Sequence, residues 1–69
     1  MNDTITDFLK IMENQFIGVT IMTRSGITRE YKILEVKENY VRAYNYITSK
    51  EEHINIENIK GVYVYFTRT

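Results

Sequence analysis

Between Phe16 and Ile47 the chain alternates in polarity with period two, breaks, alternates, slips phase and alternates again, which leaves few folds open. Phe16 to Thr23 sets Ile17, Val19 and Ile21 on one face and Gly18, Thr20 and Met22 on the other, the pattern of a half-buried strand. Arg24-Ser-Gly26 is a polar pair ending in Gly, suited to the positive φ of a tight hairpin. The next run, Ile27 to Lys37, starts with Ile27, Arg29, Tyr31 and Ile33 in phase, then passes the apolar positions to Leu34 and Val36. A phase slip inside a strand predicts a bulge or sharp bend. After the polar turn Lys37-Glu-Asn39, the strand Tyr40 to Ile47 places Val41, Ala43, Asn45 and Ile47 inward and Tyr40, Arg42, Tyr44 and Tyr46 outward.

The flanks close this meander. Ile5, Phe8, Leu9 and Met12 recur at helical spacing, with Ile11 widening the stripe, and predict an amphipathic helix over 4–14 started by Thr4-Ile-Thr-Asp7. At 1.5 Å per residue it spans only about 16 Å, too short to stand alone, so it must lie on the sheet. Downstream, Thr48 to Glu52 reads as a loop, His53 to Ile56 as a short strand, Glu57-Asn-Ile59 as one helical turn and Gly61 to Phe66 as the last strand. The expected fold is mostly β: an N-terminal helix, then a five-stranded antiparallel SH3-like or Sm-like barrel, in one domain over 1–69.

Composition narrows the function classes. With 69 residues the chain supports a single small core, and with no Cys neither disulfides nor thiolate–metal sites can supplement it. Nine basic and nine acidic residues cancel, so the bulk positive charge of a general nucleic-acid binder is missing. No apolar run approaches the roughly 20 residues of a membrane span and no leader is recognisable, which sets the expectation of a cytoplasmic protein without a membrane role. His53 is the only His and has no nearby metal-ligand spacing; Ser25 and Ser49 have no His partner. Glu51 and Glu52 are adjacent and should point apart as solvated charges. The expectation is a non-enzymatic protein without a cofactor.

Six tyrosines carry the functional signal: Tyr31, Tyr40, Tyr44, Tyr46, Tyr63 and Tyr65 all fall on predicted strands, interleaved with Arg29, Lys32 and Arg42. Aromatic faces beside cations stack bases and hold phosphates. Tyr is also an ordinary strand residue with an apolar ring and a wet hydroxyl, and Tyr with Arg is enriched at protein interfaces. All three readings remain open at this level. The uncharged final strand, Gly61 to Thr67, is in addition an aggregation-prone edge unless something pairs with it.

The chain resembles an Sm-like protein of the bacterial Hfq type, a family of RNA chaperones. The resemblance runs from Asp7-Phe8-Leu9 through Val19-Thr-Ile21 to Ser25-Gly26-Ile27, then, after about one inserted residue, through Asn39-Tyr40-Val41 to Ile59-Lys-Gly-Val62. It implies that Tyr40 is the uridine-stacking aromatic and that Gly26-Ile27 starts an adenine-binding strand on the opposite face. Arg42, with backbone contacts from Arg29 and Lys32, would complete the nucleic-acid site. It also implies homo-oligomers built by pairing the last strand of one chain with the His53–Ile56 strand of the next, with His53, Ile54, Tyr63 and Tyr65 at the interface. The chain departs from the family at several RNA contacts: the Lys-His pair before the last strand falls on Ile56-Glu57, the basic rim on Glu13-Asn14, the helix Gln on Ile5, and the Lys after Gly26-Ile27 is Thr28. A homo-oligomer with nucleic acid, or a protein, as partner is therefore the expectation.

Overall fold

The computed structural model describes residues 3–15 and 17–65. Its elements follow the sequence order α1 Asp3–Met12, β1 Gly18–Thr23, β2 Thr28–Val36, β3 Tyr40–Asn45, β4 Lys50–Asn55, a 3-10 turn Ile56–Asn58 and β5 Ile59–Tyr65. The strands form one antiparallel sheet in the order β4-β3-β2-β1-β5. A helix followed by a mostly β, five-stranded antiparallel domain is what the alternation predicts, except that among the described residues the sheet does not close: β4 and β5 are both edges.

The phase slip in β2 is a bulge. Ile33 pairs with Ala43 and Glu35 with Arg42, so two residues of β2 advance against one of β3 and Leu34 is the extra residue. Ile33 is thereby kept inward and Val36 is brought back onto the core. The same bulge binds the helix. Met12 ends α1, Asn14 takes a left-handed φ of 61°, and its N–H donates to the Ile33 carbonyl at 3.0 Å. Beside it the Glu13 carboxylate accepts from the Val36 N–H at 2.9 Å, a donor close beside the bulge. Glu13→Ala is accordingly expected to cost about 1–2 kcal/mol in urea unfolding, whereas Glu13→Gln keeps an acceptor and loses less.

The helix covers the inner face of the sheet, lying on β2 and β5. Leu9 and Met12 are buried with Val19, Ile21, Ile33, Val41, Ala43 and Ile59, and Ile5 and Phe8 pack at the rim. Ile11 is 63% exposed, so it does not widen the stripe, and Thr4 lies inside the helix rather than capping it. Two further boundaries shift. The segment expected as a loop over Thr48–Glu52 splits into a turn and the start of β4, leaving Ile47 exposed on the turn instead of inward. β5 begins two residues early because Ile59 is fully buried opposite Thr23, and Lys60 is looped out as a second bulge.

The 3-10 turn is fixed from three sides. Asn55 accepts from the Glu57 N–H at 2.9 Å, the Ile56 N–H donates to the Asn39 carbonyl at 2.9 Å, and Arg24 donates from Nε to the Glu57 carbonyl at 2.8 Å. The β1–β2 turn turns on Gly26, whose φ of 91° suits glycine.

Candidate functional site

On β3 burial alternates strictly, so Tyr40, Arg42 and Tyr44 share the outer face while Val41, Ala43 and Asn45 point inward. The register extends that outer face sideways. Tyr44 lies between Lys32 of β2 and Glu51 of β4, and Arg42 lies beside His53. The Tyr40 and His53 rings sit 5.1 Å apart at 39°, and Tyr44 meets Tyr46 edge-on at 5.8 Å. At the far side of the sheet, Tyr63 is 53% exposed opposite Thr20, its hydroxyl end over Gly61, where the backbone has no side chain of its own. Four tyrosines thus present aromatic surface on the side of the sheet away from the helix.

The charges on this face are largely matched among themselves. Arg42 reaches Glu51 at 3.0 Å through Nη1 and Glu35 at 3.4 Å through Nε, and Lys37 reaches the other Glu35 oxygen at 3.1 Å. Lys37 first, then Arg42, hold the Glu35 carboxyl below its ordinary range, and Glu51 raises the Arg42 guanidinium above its own. His53 Nε2 lies 3.8 Å from Glu51. A phosphate approaching Arg42 must therefore compete with two carboxylates already in place.

Arg29, Gly26 and Ile27 lie elsewhere. Arg29 is in phase with Tyr31, opposite Ile21, and so on the other side of β2 from Lys32. With Ile27, Ile21, Ile54 and Asn55 it lines a cleft of about 200 Å³. Arg29 also borders a second hollow of about 310 Å³ with Thr20, Glu30, Ile47 and Thr48. The structure brings Tyr40, Arg42 and Lys32 onto one face and leaves Arg29 off it. Ile54 is buried beside Val41 and the exposed His53 stands on the β4 edge. Tyr65 pairs with Gly18 through its backbone; its side chain, with Phe16 and residues 66–69, lies outside the described residues.

One cluster escapes the sequence reading. Glu52 points inward, accepting from the Tyr31 hydroxyl at 2.8 Å and from Asn45 Nδ2 at 2.9 Å. Asn45, only 1% exposed, spends its carbonyl oxygen on the Ile47 and Thr48 N–H groups at 2.8 and 3.1 Å, shaping the β3–β4 turn. Glu52 is therefore a structural acceptor, while its neighbour Glu51 faces outward to Arg42. An Asn on the inward phase of β3 is the one clue, since a buried amide needs partners.

Burial first, then the Glu52 carboxylate, push the Tyr31 hydroxyl up to about 12. Because the folded value lies above the ordinary one near 10, the stabilisation is complete below pH 10 and fades as pH rises from about 10 to 12. Wild type should lose about 2 kcal/mol more than Tyr31→Phe between pH 9 and 12 in urea unfolding.

Among the described residues, no helix is long and apolar enough to cross a membrane, and no group of three or more His, Cys, Asp or Glu side chains is placed to hold a metal. Compared with known proteins, the chain matches no family model, no curated protein and no solved structure.

Proposed function

We propose that this chain is a non-enzymatic, Sm-like binding module that works as a homo-oligomer and takes single-stranded nucleic acid, RNA first, on its outer sheet face. The observation that carries the reading is the outward set Tyr40, Tyr44 and Tyr46: the Tyr40 ring lies beside His53, Tyr44 meets Tyr46 edge-on, and Lys32 is in register beside Tyr44. Base stacking on such a platform is worth about 1–3 kcal/mol per base and needs little sequence information. The resemblance to the Hfq type supports the same assignment at Tyr40. Arg29 and Ile27, which line one cleft, would belong to a separate contact, with Gly26 on the adjoining turn. The two free sheet edges support the homo-oligomer.

The charge arrangement gives a specific signature. With Arg42 engaged by Glu35 and Glu51 and zero net charge, few counterions are released on binding, so the slope of log K against log salt should be nearer −2 or −3 than −10. Fluorescence anisotropy with U-rich and A-rich oligonucleotides measures this. Tyr40→Ala should weaken binding about 5- to 150-fold, and Glu51→Gln, which releases Arg42 from one carboxylate, should strengthen it. Unchanged affinity in Tyr40→Ala would remove Tyr40 from the site. The same neutralised Arg42 favours a second reading, a protein-interaction barrel, in which tyrosines dock a polypeptide; absence of oligonucleotide binding at low salt would select it.

A further inference from the structure

The two free edges of the sheet differ in chemistry. Along β4 run Lys50, Glu51, Glu52, His53 and Asn55, with Ile54 the one apolar residue. Along β5 the stretch from Gly61 to Val64 has no charge, and Tyr63 and Val64 are 53% and 39% exposed. Charges and bulges are how natural edges refuse a partner. β4 carries the charges; on β5 the looped-out Lys60 guards only the first residues.

We infer that the β5 edge binds the β5 edge of a second copy of this chain, antiparallel, across a two-fold axis. This rests on the homo-oligomer reading above and replaces the β4-to-β5 pairing implied by the Hfq resemblance. Opposed residues in an antiparallel pair point to the same side of the sheet. Val62 and Val64 lie on the core side, opposite Ile21 and Val19, and Tyr63 on the outer side. A second β5 therefore sets valines against valines and covers Val64, and the two Lys60 residues fall at opposite ends of the pair. Pairing β5 with β4 would instead put Val62 and Val64 on the side where β4 carries Lys50 and Glu52 along with Ile54, bringing charge against apolar neighbours. The two-fold arrangement also ends itself, because the joined sheet finishes in two charged β4 strands and offers no further apolar edge.

The native chain contains no cysteine, which allows a clean test. Val62→Cys, Tyr63→Cys and Val64→Cys, each alone, are oxidised mildly and run under denaturing conditions, alongside light scattering of the native protein. The expected result is a native mass of twice 8.3 kDa and a covalent dimer from at least one single-cysteine variant, since residues near a two-fold axis meet their own copies. Tyr63→Lys, at an exposed position, should give the monomer mass with unchanged circular dichroism. A native dimer with no crosslink from any of the three would overturn the pairing. So would a larger assembly crosslinked only when His53→Cys is combined with a β5 cysteine, which leaves the homo-oligomer standing. A native monomer at tens of micromolar overturns both.

Discussion

Asn45→Ala is expected to destabilise the fold by about 3 kcal/mol, although it changes a single side chain at the end of β3. The side chain makes three hydrogen bonds, two accepted from the β3–β4 turn and one given to Glu52, at a position 1% exposed. Each is worth roughly 1 kcal/mol net, and truncation also leaves the two turn N–H groups short of an acceptor. A domain of this size holds only about 3–10 kcal/mol in total, so the loss is a large share. Asn45→Asp separates the contributions. It keeps an oxygen that can accept from both turn N–H groups but puts a second carboxylate against Glu52, so its deficit should shrink as pH is lowered and the carboxyls protonate. Urea midpoints at pH 7 and pH 4 provide the comparison; an Asn45→Ala variant within 1 kcal/mol of wild type would mean that water replaces the side chain.

The second large effect concerns the helix. Leu9 is fully buried between α1 and the sheet, and α1 has only ten residues, too few to persist unsupported. Leu9→Ala should cost about 2.5–4 kcal/mol through lost burial and the cavity left behind. Ile11→Ala, one turn face away and exposed, should cost almost nothing. Amide exchange distinguishes the outcomes: protection should fall along α1 before it falls in β2 and β3, because the helix is held by its apolar face and by the contacts at Asn14 and Glu13.

Much of this architecture is written locally. Period-two alternation placed β1, β2 and β3, and the exchange of Ile33 for Leu34 and Val36 announced the bulge that pairing confirms. Gly26 and a helical turn around Glu57 are equally readable, because turn chemistry acts within a few residues, although the turn is Ile56–Asn58 and Ile59 opens β5 instead of ending the turn. What the chain hides is long-range. Lys50, Glu51 and Glu52 look like a solvated loop in isolation and become a strand only because β3 offers its edge. Tyr31 joins the surface tyrosines by composition, yet is drawn inside by the register with Asn45 and the reach of Glu52. The outer face was visible as Tyr40, Arg42 and Tyr44, but not that Glu35 and Glu51, from two other strands, would close on Arg42. Arg29 and Lys32 are three residues apart and so face opposite sides of β2, which an inventory of cations alone does not separate.

Self-association and the aromatic face together make the account, and the first is a condition of the second if the binding surface is to run across copies. Sedimentation equilibrium of the unmodified protein over a range from about one to a hundred micromolar tests it most directly. A mass rising to a defined multiple of 8.3 kDa is the expected result. A single species of 8.3 kDa at every concentration would contradict it.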